Sequence, residues 1–315
     1  MRQLVVSLLA VWAALTAHGQ ESQEVYSFLR LPVSAHAAAL GGDNITLTDD
    51  DPTMIFHNPA LISNVSDKSI NLNYMNYMQG ANAASASFVK ASGERATWGV
   101  SAQYMAYGSI KETTVNNEQT GTFSPKDIAL AGTFAYMLSD NISGGVTARF
   151  ITSTIASYSS AAVGVDLGVN YLHEEKGWSL SAVAKNLGGQ IKAYHEDFER
   201  IPLDLQIGVA KRLIGSPLSI HATLARLNNW DQGLIKHLSA GAQLNLGQSI
   251  YVAAGYNFRR SSEMKITDSG DSASSHGAGL SVGAGLQLER FKLQLAYAKY
   301  HVSSYSLLIN ATYSL

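Results

Sequence analysis

Residues 305–315 read Tyr305-Ser306-Leu307-Leu308-Ile309-Asn310-Ala311-Thr312-Tyr313-Ser314-Leu315. Tyr305, Leu307, Ile309, Ala311, Tyr313 and Leu315 form one set, and Ser306, Asn310, Thr312 and Ser314 fall between them. Only Leu308 breaks the polar set. A period of two places the two sets on opposite faces of a strand. Taken singly this is any amphipathic strand. The same alternation recurs along most of the chain, and the recurrence reads as a membrane β-barrel.

Fourteen period-two segments are found, at about 69–77, 81–90, 96–107, 127–138, 142–154, 160–172, 178–186, 203–213, 217–227, 237–246, 249–259, 276–288, 291–300 and 303–315. Most run to roughly ten to thirteen residues, against the five or six usual in soluble sheets. The clearest has Leu238, Ala240, Ala242, Leu244 and Leu246 alternating with Ser239, Gly241, Gln243 and Asn245. With the amino end periplasmic, the connections near 93–94, 139–141, 174–177, 215–216, 247–248 and 289–290 are short and periplasmic. The long ones, 108–126, 187–202 and 260–275, all fall outside, which is the asymmetry of outer-membrane barrels. A soluble sandwich or lipocalin fits less well, because a sandwich rarely needs strands this long and a lipocalin is apolar inside.

Composition agrees. Charged residues make up 15 % of the chain, below the roughly 25 % of soluble domains. The formal net charge of −2 offers no basic footprint for nucleic acid. No stretch is long and apolar enough for a membrane helix. Arg2, the apolar residues 4–15 and Ala17-His18-Gly19 have the form of a secretory signal, so residues 1–19 are expected to be a signal peptide. With no cysteine, neither disulfides, thiolate metal sites nor a lipid-bearing cysteine is expected.

Residues 20–67 lack the alternation and carry helix punctuation instead. Ser34 is placed to cap a turn over 35–40 that Gly41-Gly42 would end, and Asn58 to cap a second turn opened by Pro59 and Ala60. Fourteen strands leave an open lumen. The expected architecture is therefore an all-β, 14-stranded antiparallel barrel over residues 68–315, with a short helical hatch inside it. Gly279, Gly283 and Gly285 on the inward face of strand 276–288 would make room for that hatch.

Several stretches resemble chemical motifs. Gly279-Leu280-Ser281-Val282-Gly283 fits the serine-hydrolase pattern G-x-S-x-G, but it lies within a strand, where the required strand-to-helix turn cannot form. Asp49-Asp50-Asp51 lacks the spacing of a calcium loop and reads as a solvated hatch turn. His36 and His57 read as packing or hydrogen-bonding residues. Trp98, Tyr171 and Trp178 read as interfacial girdle. No catalytic, metal or cofactor site is expected. Lys211, Arg226 and Lys299 continue apolar faces at strand ends, where long side chains snorkel. Arg149 and Asp166 lie mid-strand on inward sets. A hairpin centred near 157–158 makes facing positions sum to about 315, which pairs Arg149 with Asp166 as a lumen ion pair. Lys185 and Asp204 stand inward in the same way on the next two strands.

The hatch carries a resemblance. Leu40-Gly41-Gly42, Asp49-Asp50-Asp51 and Phe56-His57-Asn58-Pro59-Ala60-Leu61 resemble the start of PorV/PorQ-type proteins, FadL-like barrels of the type IX secretion system. Lys185-Asn186-Leu187-Gly188 is similar to a recurrent element of that group, and Tyr26-Ser27-Phe28-Leu29-Arg30-Leu31-Pro32 followed by Ser34-Ala35 resembles its PorQ branch. The resemblance implies fourteen strands and an Asn-Pro-Ala hatch. It also implies a non-enzymatic outer-membrane component of the attachment complex. That component holds a PorZ-like surface protein beside PorU-like and PorV-like members, which join cargo to lipopolysaccharide. The alternative is a FadL-type channel for small hydrophobic molecules. An outer-membrane hydrolase would need a paired nucleophile and base at a mouth or loop, and none is legible.

Overall fold

The computed structural model describes residues 24–78, 80–116, 118–230, 233–265, 277–302 and 304–315. The expected signal peptide, residues 1–19, lies outside them, as does most of the 260–275 connection. Fourteen antiparallel strands close into a barrel. In chain order the strands are β1 Ser69–Met78, β2 Ala81–Ser92, β3 Ala96–Ala106, β4 Ile110–Thr113, β5 Gln119–Phe123, β6 Lys126–Ser139, β7 Ile142–Ile155 and β8 Tyr158–His173. They continue with β9 Trp178–Lys192, β10 Asp204–Arg212, β11 Leu218–Leu224, β12 Leu238–Leu246, β13 Ile250–Asn257, β14 Leu280–Gln287, β15 Phe291–His301 and β16 Ser304–Ser314. Each strand pairs with its chain neighbour, β16 closes on β1, and β4-β5 form a separate hairpin between β3 and β6. This is an outer-membrane barrel. Closure leaves no open edge, the condition for a sheet to stand in hydrocarbon.

The alternation has its expected consequence. Leu72, Val100, Leu130, Phe150, Val163 and Leu307 are exposed on the lipid face, while Asn71, Thr133, Thr147, Asn170 and Thr312 are buried inside. Leu308, the exception in the opening stretch, is buried against the hatch helix and Met75. An apolar residue belongs on an inward face where that face meets an apolar plug instead of water.

Three expectations are corrected. The Phe258–Glu263 segment, read as the last two residues of a strand and the start of a loop, is a short helix whose first turn is capped by the Asn257 side chain. Arg226 does not continue a lipid face. Its φ of 57° ends β11 and turns the side chain into the lumen, 3.5 Å from Glu263. Lys299 is buried beside a register shift between Ala298 and His301, with its ammonium 5.5 Å from the Tyr305 ring centre. Lys211 does sit at a strand end, over the Trp178 ring at 4.5 Å and bonded to the Lys176 carbonyl.

The hatch fills the lumen. Its helix, Ala35–Ala39, packs on β13 to β16. The 3-10 turns Pro52–Phe56 and Pro59–Asn64 lie on β1-β2 and on β3 and β6 to β8 respectively. Ser34 Oγ caps the helix by accepting from Ala37 N at 3.1 Å, and Asn58 Oδ1 caps the last turn by accepting from Ala60 N at 3.0 Å. Gly41 and Gly42, at φ 109° and 102°, end the helix in a conformation that side chains resist. Inward glycines provide the seats, though mostly not those expected. Of the three on β14 and its approach, only Gly283 touches the hatch, at Ala39; Gly279 and Gly285 lie under Tyr256 and Tyr251. Leu40 rests on Gly241 and Gly255, Asn58 on Gly168 and Pro59 on Gly145.

A methyl group at Gly145 or Gly168 would overlap Pro59 or Asn58, whereas none would touch anything at Gly132. Gly145→Ala and Gly168→Ala should each destabilise the protein by about 1–3 kcal/mol, the usual cost of overpacking, and Gly132→Ala by much less. The temperature at which the folded, fast-migrating gel band disappears measures this. Three equal values would contradict the seating.

Candidate functional site

Inside the barrel, the chemistry concentrates where β7, β8 and β9 meet the hatch. Arg149 Nη2 donates to Asp166 Oδ2 at 2.6 Å, and its Nη1 donates to Asn186 Oδ1 at 2.7 Å. Asp166 Oδ1 accepts from Asn186 N at 2.7 Å, and Asn186 Nδ2 donates to the Pro202 carbonyl at 2.9 Å. Arg149 is 6 % exposed and Asp166 2 %. The β7-β8 register aligns Arg149 with Gly164 and Thr147 with Asp166. Facing positions therefore sum to 313, and the two partners are diagonal neighbours instead of directly opposed. Both side chains are long enough to span the diagonal.

The Asn186 contribution was not anticipated. Between Val165↔Leu187 and Leu167↔Ala184, one residue of β8 faces two of β9, so Asp166 stands opposite Lys185 and Asn186. Such a bulge leaves an amide outside the ladder, and the Asp166 carboxylate accepts that amide. Asn186 has φ 58°, a region in which asparagine is enriched. The sequence signal was an asparagine interrupting an alternating strand just before Gly188-Gly189.

The second expected pair does not form. Lys185 and Asp204 are register partners, yet no ion pair joins them. Asp204 gives its oxygens to Arg226 N at 2.6 Å and Gln206 Nε2 at 2.7 Å. Lys185 lines a narrow chamber with Asp43, Asp204, Arg149 and Arg226. The inward turn of Arg226 is the cause, since its backbone N–H occupies the carboxylate.

The remaining motif residues are structural. Ser281 Oγ donates to the Ala39 carbonyl at 3.1 Å. Asp51 is buried and caps the Pro52–Phe56 turn through Thr53, and Asp50 bonds Lys292 Nζ at 2.5 Å and Ser66. Asp49 is solvated, Asp50 half-buried and Asp51 buried, which corrects the reading of the run as a whole. His36 stacks on Tyr251 at 4.1 Å and contacts Gln243 at 2.6 Å. Among the described residues, no three metal-ligating side chains cluster. His57 Nε2 accepts from Ser34 N at 3.4 Å, tying the end of the Pro52–Phe56 turn to the start of the Ala35–Ala39 helix. Burial, aided by the charge of Lys185, pushes this imidazole down to about 3.

Two lumen cavities flank the hatch. The outer one, about 340 Å³, is walled by Phe28, Leu31, Tyr77, Met105 and Tyr107 together with several arginines. The periplasmic one, about 480 Å³, is lined by Trp178, His221, Gln243 and Arg212 among others. No protein-family profile and no curated protein sequence matches the chain. Solved structures do. The Pseudomonas putida toluene transporter TodX superposes with a TM-score of 0.59 at 13 % identity, covering 90 % of this chain and 97 % of that one. A TodX mutant described as a monoaromatic hydrocarbon channel gives 0.60 at 14 % identity over 89 % and 97 %. A Pseudomonas aeruginosa FadL homologue gives 0.55 at 13 % over 89 % and 98 %. The fold is FadL-like. At these identities the likeness is one of fold.

Two predictions follow from the geometry. Asp166→Asn and Arg149→Gln should each cost about 3–5 kcal/mol, as expected when one partner of a buried pair is removed. The double variant should cost less than the sum; additive losses in the gel transition would contradict the pairing. For His57, the neutral form is the one the fold accommodates. Its contribution is complete above the unfolded value of 6.5 and declines as pH falls from there toward about 3, by at most about 1.4 kcal/mol per pH unit. His57→Asn should flatten the fall in thermal midpoint between pH 6.5 and 5, and an unchanged slope would reject this.

Proposed function

We propose that the chain is a non-enzymatic outer-membrane passage for small apolar molecules, with the hatch as its gate. The observation that carries this reading is the division of one lumen into two cavities by a plug seated on glycines. Their volumes suit small ligands, and Phe28, Leu31, Tyr77, Met105 and Tyr107 give the outer one an aromatic and aliphatic side. The fold likeness to channels named for toluene and monoaromatic hydrocarbons supports the same reading.

The hatch has what a gate requires. It is held by caps, by Asn310, which donates to the Val33 carbonyl at 3.1 Å and accepts from Ala35 N, and by the Lys292–Asp50 pair. These are many separable contacts of modest size, so partial displacement is cheaper than unfolding.

A second reading is favoured by the external loops. Val115, Phe198, Trp230, Leu234 and Ile235 stand exposed on them, beyond what a solvated loop needs. Under this reading the barrel anchors a PorZ-like surface protein beside PorU-like and PorV-like members of a type IX attachment complex, in contact with lipopolysaccharide. Affinity purification from native membranes separates the two readings: co-recovered surface proteins favour the anchor, and a monomer carrying hydrocarbon favours the passage.

In cells with an intact lipopolysaccharide leaflet and no channel of their own, expression should raise toluene entry several-fold. Deleting residues 24–67 should raise planar-bilayer conductance. Entry no faster than in the empty strain would reject the passage, and unchanged conductance would reject the plug.

A further inference from the structure

The outer cavity contains a feature that an apolar cargo does not use. Arg30, Arg226, Arg259 and Arg260 line it, against the carboxylates of Asp43 and Glu263 in the lining and of Glu24 beside Arg30, so that among the described residues the arginines outnumber their counter-charges by one. Glu263 is engaged with Arg259 Nε at 2.7 Å and with Arg226 at 3.5 Å, and Asp43 accepts from Asn257 at 2.9 Å. Arg30 Nη1 pairs with Glu24 at 2.6 Å. Even so, four buried polar atoms of the lining have no hydrogen-bond partner among the described residues: Arg30 Nε, Arg259 Nη1, Arg260 Nη1 and Tyr300 Oη. A buried donor left without an acceptor is costly, most of all when it is charged.

Arg260 is the centre of it. The residue is 6 % exposed, and its Nε and Nη2 are fixed by the carbonyls of Ala278 at 2.6 Å and Gly279 at 2.9 Å. Its guanidinium lies 4.6 Å from the centre of the Tyr300 ring. With one edge of the fork tied to backbone, Nη1 is left toward the cavity. A methyl group at Gly42 would lie 3.4 Å from Tyr300 Oη and 3.7 Å from Arg260 Nη1. The glycine that ends the hatch helix therefore leaves space in front of both donors. Burial, followed by the neighbouring Arg226 charge, holds the Arg30 guanidinium below its ordinary value, as expected where cations gather without enough counter-charge.

We propose that this outer cavity binds a phosphate group, held by Arg260 Nη1, Arg259 Nη1, Arg30 Nε and Tyr300 Oη. A phosphate monoester carries about −1.5 to −2 charges at neutral pH and three acceptor oxygens. Its oxygens match the several separated donors. A carboxylate brings one charge and two oxygens and leaves donors unmet. Guanidinium forks suit phosphate geometry. The cavity lies at the long-loop end, so the phosphate arrives from outside, either on a solute or on the headgroup of an outer-leaflet lipid. The site is independent of the apolar passage, and either can fail alone.

The test uses the full chain in detergent and in nanodiscs. Inorganic phosphate, titrated calorimetrically at pH 7.5, should bind the detergent-solubilised wild type and be displaced poorly by acetate. Arg259→Gln should weaken binding at least tenfold and Tyr300→Phe about threefold, with the heat-modifiable gel shift retained as the check on folding. The second arm compares nanodiscs of phosphorylated and dephosphorylated lipid A. Preference for the phosphorylated lipid together with weak binding of free phosphate assigns the site to a headgroup, and the reverse assigns it to a solute. Three outcomes overturn the proposal: no binding in either arm, binding that folded variants leave unchanged, or displacement by acetate as effective as by phosphate.

Discussion

A peptide group in hydrocarbon has no water to bond with, and every N–H and C=O that crosses the bilayer must find its partner in the protein. Pairing β16 with β1 meets this condition and forces a second one. Once fourteen strands are closed, the lumen is too wide for wall side chains to fill. The inward faces must then serve a plug, and their composition follows from what the plug needs at each place. Where the helix Ala35–Ala39 lies, the wall supplies Leu308, Met75 and Ala296. Where the plug's backbone comes close, the wall supplies glycine at 145, 168, 241, 255 and 283. Where the plug presents unpaired carbonyls or amides, the wall supplies Asn310, Ser281 and Lys292.

The wall was legible because its signal is strictly periodic and repeats fourteen times. Boundaries shifted by a few residues, most at the end of β9, which runs past its bulge to Lys192 where the reading stopped at 186; at the Phe258–Glu263 helix an asparagine cap sits inside a continuous apolar-polar alternation. The hatch caps were legible too, since Ser34, Asn58 and Pro59 act locally on the turns they begin. The Arg149–Asp166 contact came out of hairpin arithmetic even though the register slipped by two residues, because long charged side chains tolerate a diagonal. Lys185 and Asp204 show where that arithmetic ends. Both do sit on adjoining strands as register partners, but the competitor for the carboxylate is Arg226 N, brought there by a positive φ that a sequence does not announce. Asn186 was missed for a related reason: a bulge is one residue of irregularity in a regular pattern, and its partners come from β7, β8 and the Pro202 loop.

The bulge is also where stability and shape are most tightly joined. Alternation puts Asp166 and Arg149 inside, and there an isolated charge would be costly. The added residue on β9 leaves an amide without a ladder partner. Each problem removes the other. The carboxylate takes the amide of Asn186, the guanidinium takes its side-chain oxygen, and its side-chain NH₂ reaches Pro202. A hydrophobic pair at 149 and 166 could replace the charges for burial, but it could not satisfy the amide that the bulge releases. The charges are therefore retained for geometry more than for net stabilisation, in keeping with the modest or negative balance of many buried ion pairs.

The same reasoning separates the inner arginine from the outer ones. Arg149 is saturated from two sides by groups on neighbouring strands, and it is closed from solvent by the hatch. Arg259 and Arg260 sit past the end of β13, where no neighbouring strand continues to supply acceptors, and Arg30 is carried into the same space by the hatch. At the wall, pairing is imposed by the sheet; at the mouth, the sheet has ended and the acceptors must come from elsewhere. Two carboxylates and a few loop carbonyls cover part of that demand, and Gly42 keeps open the space in front of the rest. Charge left over at a mouth, beside a cavity with aromatic walls, gives this barrel two unlike surfaces in one vestibule. A cargo that is only apolar would contact the walls and leave the cations as they are.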